Sequence, residues 1–309
     1  MVSDCRLFIY QQTPKIMISI HFILNPISGT GKHNFGKTEL EKYFPKSIYK
    51  IEVDYSNYKR HAIVLTQNAI VKKPHYVVAC GGDGTINEVA SCLINTEIKF
   101  GIIPVGSGNG LASNLSISRS LEKTAEIIRR GRTRFIDVGK INGHYFFSNA
   151  GVGIDALIIK KYERYNKRTL ISYLRAAIAS SIEFKPIQAT LSFNGKIIDT
   201  NAFMLFISNS NQMGYGMTLT PDANLNDGLL DLVVVPKLSF LDKILFSLCV
   251  LTNKIEKFKK ARHILIEKLH IEMPEKIFLD IQIDGESHNL KTNKIEIAVI
   301  KSGLEVLAH

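Results

Sequence analysis

The residues best suited to chemistry stand at the ends of short apolar runs. Gly81-Gly82-Asp83-Gly84-Thr85 follows the run Tyr76–Cys80. It precedes Ile86, Val89, Ala90, Leu93 and Ile94, which recur at helical spacing. A glycine loop between a buried strand and a helix lets the backbone approach a phosphate, and the helix start offers it free N–H groups. Glycine and threonine suit any phosphate cradle, but Asp83 does not. A carboxylate beside phosphates is repelled unless a metal lies between them or unless it takes a proton from an attacking group. Both cases imply phosphoryl transfer rather than passive binding. A second loop, Pro104-Val105-Gly106-Ser107-Gly108-Asn109-Gly110, ends the run Phe100–Ile103. In a parallel sheet the two loops emerge at one edge, where ligands bind. There the Ser107 hydroxyl could reach a phosphate, and Asn109 could donate or accept. Farther on, Asp284-Gly285-Glu286 reads as a hairpin tip able to project a carboxylate, and Asn226-Asp227-Gly228 as another polar turn. Taken singly, these two also have the look of solvated turns.

Other chemistries fit poorly. A Walker loop needs Gly, four residues, then Gly-Lys-Ser/Thr. Gly31-Lys32 comes near, but Pro26 stands at the first glycine position and His33 follows the lysine. Gly106, Gly108 and Gly110 are spaced by two, which is not the dinucleotide pattern Gly-x-Gly-x-x-Gly. The cysteines Cys5, Cys80, Cys92 and Cys249 form no CxxC pair, which argues against a zinc site or a disulfide framework and for a reducing, cytoplasmic setting. No apolar run reaches the roughly 18 residues that would span a bilayer; Leu238–Leu251 is interrupted by Asp242 and Lys243. The stretch Ile16–Leu24 runs into Asn25-Pro26 rather than a cleavage site, so it reads as a first strand after a tail of residues 1–15. The net charge is +11. Part of it clusters at Lys160, Lys161, Arg164, Lys167 and Arg168, and part at Lys254, Lys257, Lys259, Lys260 and Arg262. These groups suit solvated helix faces or docking on anionic lipid. No nucleic-acid reading motif accompanies them, so nucleic acid is not an expected partner.

The elements that must hold these loops change along the chain, whose 309 residues suffice for two ordinary domains. Met17–Leu24, Ile48–Val53, Tyr76–Cys80 and Phe100–Ile103 read as strands. They alternate with the helical stretches Lys37–Tyr43, His61–Asn68, the run after Thr85, and Leu121–Arg130. Such alternation predicts a parallel sheet covered by helices. From about Phe135, strand runs dominate: Arg134–Val138, Tyr145–Ser148, Ala189–Phe193, Ala202–Ser208, Leu230–Val235, Ile277–Ile283 and Lys294–Ile300. Asn142-Gly143, Asn194-Gly195 and Asp284-Gly285 are hairpin signals. Helices are expected at Tyr162–Ser181 and Phe240–Lys260. The expected fold is therefore α/β in two domains, an N-terminal one with a parallel sheet and a C-terminal one that is mostly antiparallel β.

Together the motifs resemble a known family. Asn25-Pro26-Ile27-Ser28-Gly29, the Gly81–Thr85 loop continuing as Ile86-Asn87-Glu88-Val89, and Pro104–Ala112 are similar to motifs of the diacylglycerol kinase catalytic family. So are Asn149-Ala150-Gly151-Val152-Gly153-Ile154-Asp155, Asn226–Leu232 and Asp284-Gly285-Glu286. That family includes bacterial lipid kinases, sphingosine kinases and ceramide kinases, and the likeness runs over roughly residues 17–305. It implies an ATP-binding α/β domain of residues 16–134 plus about 300–309, whose final strand returns to it. It also implies a β-sandwich lipid-substrate domain of residues 135–299, with the active site in the cleft between. By the same resemblance, ATP lies along Gly82, Asp83, Gly84, Thr85, Ile86, Asn87 and Glu88, with Asn25, Ser56 and Ser107 in contact. Glu286 is the proton acceptor, with Asp83 beside it in the catalytic centre. Asp227 is a magnesium ligand, helped by the backbone carbonyls of Asn224 and Leu229, and Asp155 holds the lipid head group as in the sphingosine-kinase branch. Two departures stand out. Gly110 occupies a position where many bacterial members carry Asp, and Arg60-His61-Ala62 replaces the usual Gly-His-Ala.

The implied activity is ATP- and magnesium-dependent phosphorylation of a hydroxyl on a membrane lipid, such as diacylglycerol or a sphingoid base. A lipid hydroxyl is a poor nucleophile, and a carboxylate within hydrogen-bond reach can take its proton during transfer. The protein would be cytoplasmic and touch the membrane peripherally. An exposed sheet edge leaves room for a homodimer. Two other readings share the loops: a soluble-substrate kinase of the NAD kinase superfamily, and a non-catalytic lipid-binding relative.

Overall fold

The computed structural model describes residues 17–29, 36–106, 108–165, 169–274 and 279–309. Its first half alternates strand and helix: β1 (Ile18–Leu24), α1 (Lys37–Tyr43), β2 (Tyr49–Tyr55), α2 (His61–Val71), β3 (Tyr76–Gly81), α3 (Asp83–Leu93), β4 (Lys99–Pro104), α4 (Gly110–Asn114) and α5 (Leu121–Arg130). The strands pair in parallel in the order β2-β1-β3-β4. All of β3 is buried, as befits a central parallel strand covered on both faces. Side chains alternate across a strand. Val77 and Ala79 therefore enter a core with Ala62 of α2 and Val89 of α3. Val78 and Cys80 enter another with Leu40 of α1 and Ile128 of α5.

The second half comprises β5 (Thr133–Ile141), β6 (His144–Phe146), β7 (Asn149–Gly153), α6 (Ile154–Tyr162), α7 (Leu170–Glu183), β8 (Ile187–Phe193), β9 (Lys196–Ser208), β10 (Leu230–Pro236), α8 (Phe240–Leu251), β11 (Arg262–Ile266), β12 (Lys268–Glu272), β13 (Leu279–Ile283), β14 (Glu286–Leu290) and β15 (Lys294–Leu307). Pairing among β5 to β14 is antiparallel. The three expected two-residue turns close β5–β6, β8–β9 and β13–β14. Their φ values are 41 and 84° at Asn142-Gly143, 49 and 72° at Asn194-Gly195, and 46 and 79° at Asp284-Gly285, the left-handed pair that such hairpins need. The apolar faces of these strands enclose a core that includes Leu191, Leu205, Leu232, Leu269, Ile281 and Ile295, in the manner of a sandwich.

The long strand β15 ties the halves together. It pairs antiparallel with β12 from Lys294 to Ala298 and with β5 from Ile297 to Leu307, and parallel with β4 at Val306. The limits expected at 134/135 and 299/300 thus fall inside two strands that are paired with each other. The border between the halves is made of sheet rather than linker.

Some elements differ from the sequence expectation. Tyr162–Ser181 is not one helix. α6 ends at Tyr162, and α7 begins at Leu170, where the Thr169 side chain accepts the Ser172 N–H, a helix-starting cap. The helix expected over Phe240–Lys260 stops at Leu251. Asn253 turns left-handed, and its side chain bonds Thr218 N–H and the Gly216 carbonyl. The basic group Lys254–Arg262 therefore follows α8 rather than lying along it. Lys160 and Lys161 do lie on α6. Lys167, Arg168, Ile277 and the tail of residues 1–15 lie outside the described residues. Among the described residues, no helix is long and apolar enough to cross a membrane.

Candidate active site

A cleft of about 970 Å³ opens between the halves. On its α/β side stand three loops at the carboxyl ends of β1, β3 and β4, the edge where parallel sheets bind ligands. The Asn25 side-chain amide donates to the Thr85 hydroxyl at 3.0 Å, joining the first loop to the second. Gly82 and Gly106 pack backbone on backbone; a Cβ on Gly106 would stand 2.5 Å from the Gly82 Cα. Asp83, at the start of α3, accepts the Asn109 N–H through Oδ2 and the Gly110 N–H through Oδ1, each at 2.7 Å. Its carboxylate therefore latches the second loop to the third. Burial holds the Asp83 carboxyl above its usual range, and the two N–H donors pull against that. Asn109 is turned inward: its side chain bonds both the N–H and the carbonyl of Gly106. It shapes the loop instead of facing a ligand.

Glu286 comes to the same place from the sandwich side. It opens β14 directly after the Asp284-Gly285 turn, and its Oε1 lies over the first turn of α3, 2.1 Å from where a Cβ on Gly84 would stand. Lys59 Nζ is 3.6 Å from Glu286 Oε2. Asp284 fixes the hairpin tip. Its Oδ1 accepts the N–H groups of Ser148 and Asn149 at 2.8 and 3.0 Å, and its Oδ2 those of Phe147 and the Asn87 amide at 2.9 and 2.7 Å. Burial pushes the Asp284 carboxyl up to about 6 against these four donors. Gln282 adds a second tie, accepting the Gly285 N–H at 3.1 Å and donating to Asn149 Oδ1 at 2.8 Å. Glu88 accepts the backbone N–H of Arg60 at 2.9 Å and so anchors the start of α2; burial raises its carboxyl.

The far half of the cleft is aromatic and apolar. Ile159 and Tyr162 of α6, Tyr173 of α7, and Met213, Tyr215 and Met217 line it. The Tyr162 and Tyr173 rings meet edge to face, with centroids 5.8 Å apart, and the Tyr162 and Tyr215 hydroxyls are 2.6 Å apart. Asp155 of α6 is buried, and neither of its carboxylate oxygens has a hydrogen-bond partner. Burial pushes its carboxyl up to about 7; the nearby Ala156 N–H and Gln282 amide, outside hydrogen-bonding geometry, pull the other way.

Of the residues singled out in the sequence, Asn25, Ser56, Gly82, Asp83, Gly84, Thr85, Glu88 and Glu286 all line the cleft. Ile86 and Asn87 do not. Ile86 is in the core with Val89 and Leu93, and the Asn87 amide is spent on the Tyr145 carbonyl and Asp284. Asp155 is buried and does not line the cleft. Ser107 lies outside the described residues, between Gly106 and Gly108, which do line the cleft.

Asn224, Asp227 and Leu229 are elsewhere, on a turn whose Gly228 N–H donates to Asp137 Oδ2 at 2.6 Å. Asp227 is exposed and accepts the Leu229 N–H at 2.9 Å. Among the described residues, no three His, Cys, Asp or Glu side chains gather to hold a metal. The donors at this turn are all oxygen, which suits a hard cation that keeps much of its water.

Three contributors escaped the sequence reading. Lys59 lines the cleft, and the next residue, Arg60, is left-handed at the start of α2. Asp284 was legible as a turn residue but not as a clamp, because its donors lie far away in the chain. The tyrosine cluster carries no local signature at all.

Both halves of the chain are similar to known proteins. Residues 19–141 match the family model described as diacylglycerol kinase catalytic domain. Residues 148–288 match the YegS C-terminal NAD kinase beta sandwich-like domain. The chain is 26% identical over 271 residues to the diacylglycerol kinase of Bacillus subtilis, covering 85% of this chain and 88% of that protein. It is 31% identical over 228 residues to a Yersinia enterocolitica protein named "Probable lipid kinase YegS-like", covering 72% and 75%. A crystal structure of a diacylglycerol kinase from Bacillus anthracis str. Sterne has the same fold, with a TM-score of 0.67 at 18% identity and coverage of 94% and 97%.

Proposed function

The chain belongs to the diacylglycerol kinase catalytic family, and on that premise we propose that it is an ATP- and magnesium-dependent lipid kinase acting on a hydroxyl of a membrane lipid. The observation that carries this reading is the meeting of Glu286 with the start of α3 inside a cleft whose other half is apolar.

Each residue has a part in the transfer. The glycines at 82, 84 and 106 and the first N–H groups of α3 offer nucleotide phosphates a cradle without side chains in the way. Lys59 adds a positive charge on the same side. Magnesium, when bound, neutralises charge on the phosphoryl group, and the Asn224–Leu229 turn, with Asp227, is our candidate for a structural magnesium. Glu286, held by the Asp284 clamp, accepts the proton of the lipid hydroxyl. The hydroxyl oxygen then bonds the γ-phosphorus as the bond from that phosphorus to the ADP oxygen breaks. Asp83 keeps the two phosphate loops in register for that displacement. The Tyr162–Tyr173–Tyr215 cluster with Met213 and Met217 receives the apolar part of the acceptor. The unpartnered oxygens of Asp155 suit a donor-bearing head group. We assign ATP to residues 16–134 with about 300–309, and lipid to residues 135–299, in a cytoplasmic protein that meets its substrate at the membrane surface.

The test is transfer of labelled phosphate from ATP, with magnesium, to diacylglycerol, sphingosine and ceramide in mixed micelles, with NAD as a soluble control. A labelled lipid is expected from the wild type. Glu286→Gln should still bind nucleotide but form no product. Labelling of NAD alone, or undiminished turnover in Glu286→Gln, overturns the reading.

A further inference from the structure

Two helices of the sandwich half turn apolar side chains to solvent. On α8, Phe240 and Leu241 are each 75% exposed, and Ile244, Leu245, Leu248 and Leu251 are all about half exposed. These six fall on one side of the helix, while Phe246 and Cys249 on the other side are buried. On α7, Ile171, Ile178 and Ile182 recur at helical spacing and are 64, 66 and 82% exposed, opposite the buried Ala176 and Ser180. The two helices are neighbours, for Lys243 of α8 donates to the Ser181 carbonyl of α7 at 2.6 Å. So broad an apolar face on a free surface marks an interaction site.

The cations around it say what kind. Lys254, Lys257, Lys259, Lys260 and Arg262 follow α8 directly and are exposed. Lys260 is drawn back to Asp242 in the first turn of α8, 2.6 Å away, so the basic group borders the apolar face. Apolar helix faces edged with lysine and arginine lie in the interface plane of anionic bilayers. A second copy of the chain is a poorer occupant, because a two-fold contact through this face would bring two basic borders together.

We propose that the α7–α8 face docks the protein on an anionic lipid bilayer, with its apolar side chains at the acyl boundary and the Lys254–Arg262 group on the head groups. The inward side of α7 carries Tyr173, which lines the cleft. Docking therefore brings the aromatic half of the cleft close to the bilayer; only this consequence rests on the lipid-kinase reading.

The chain contains no tryptophan, so Leu241→Trp supplies a single fluorescent reporter on α8, and Val71→Trp, at an 81% exposed position on α2, a control. Each full-length variant is mixed, without nucleotide, with vesicles of phosphatidylcholine, with or without phosphatidylglycerol. The expected result is a blue shift for Leu241→Trp with anionic vesicles and none for Val71→Trp. Adding Lys257→Gln and Lys259→Gln should weaken binding roughly thirtyfold, about fivefold per cation. Unchanged Leu241→Trp emission with anionic vesicles overturns the proposal. So does a lipid-independent shift that grows with protein concentration, which would assign the face to a second copy. Because no turnover is measured, neither result bears on phosphate transfer in micelles.

Discussion

Replacing Gly84 by alanine should separate the chemistry of this protein from its stability. Gly84 is the second residue of α3, and alanine is the better helix former, by up to about 1 kcal/mol, the helix-interior value. The new methyl would stand 2.1 Å from Glu286 Oε1 and 2.9 Å from its Cδ. An unstrained contact needs about 3.5 Å, so the carboxylate must withdraw by about 1.4 Å. The obstruction is the free end of a flexible side chain, so the fold has no reason to strain. Gly84→Ala should therefore melt at the wild-type temperature or about 2 °C above it. A catalytic group misplaced by about 1 Å costs on the order of 100-fold in rate, so kcat for lipid phosphorylation should fall by that factor. Thermal melts, nucleotide titration and steady-state kinetics on the purified variant supply the comparison. Turnover within twofold of wild type, with nucleotide affinity unchanged, would show that the position of Glu286 over α3 does not matter. A melting point several degrees lower would show that the neighbourhood is tighter than the contact suggests.

Other substitutions probe the remaining parts. Asp83→Asn leaves a single acceptor oxygen for the two N–H groups of Asn109 and Gly110. It should cost about 1–3 kcal/mol of stability as well as activity; an unchanged melting point would argue against the latch. Asp155→Asn tests the buried carboxyl. Its folded value of about 7, against an ordinary 3.8, means that the folded state keeps a proton the unfolded chain has already lost. Wild-type stability should thus decline as pH rises from about 4 to about 7, by up to about 4 kcal/mol. Denaturant curves should show the wild type losing about 2–3 kcal/mol more stability than Asp155→Asn between pH 5 and pH 8, and parallel wild-type and variant profiles would refute it. Magnesium should raise the wild-type melting temperature but not that of Asp227→Ala, since a metal held only by the native state stabilises it. No magnesium effect on the wild type would remove that turn from consideration.

What could be read from the sequence was local. The Asn-Gly and Asp-Gly turns specify their hairpins because two successive left-handed residues have few other uses. The buried runs of β3 and β4 are short, apolar and followed by glycine loops, as strands covered on both faces of a parallel sheet are. Ile86 is instructive: its apolar period with Val89, Ala90 and Leu93 already placed it in the core, and only the motif resemblance drew it toward the nucleotide. The break between α6 and α7 was hidden because Lys160–Arg168 contains no glycine or proline to stop a helix. The clamp at Asp284 was hidden for a different reason. Its partners Phe147, Ser148 and Asn149 stand about 135 residues earlier, and nothing in a local window reports so distant a bond. The same distance hides Lys59, whose partner Glu286 stands far along the chain.

The pairing of β15 has a bearing on how the chain acquires its shape. β15 leaves the ribosome after β4, β5 and β12, yet it contacts all three. Val306 must find Phe100 across about two hundred intervening residues, and contacts so remote in sequence slow folding. Until β15 arrives, the parallel sheet lacks a neighbour for β4, and the sandwich lacks one for β12. Neither half should therefore reach its full stability during synthesis. Once β15 is in place, loss of either half exposes the strand that completes the other, so the two should unfold in a single cooperative transition.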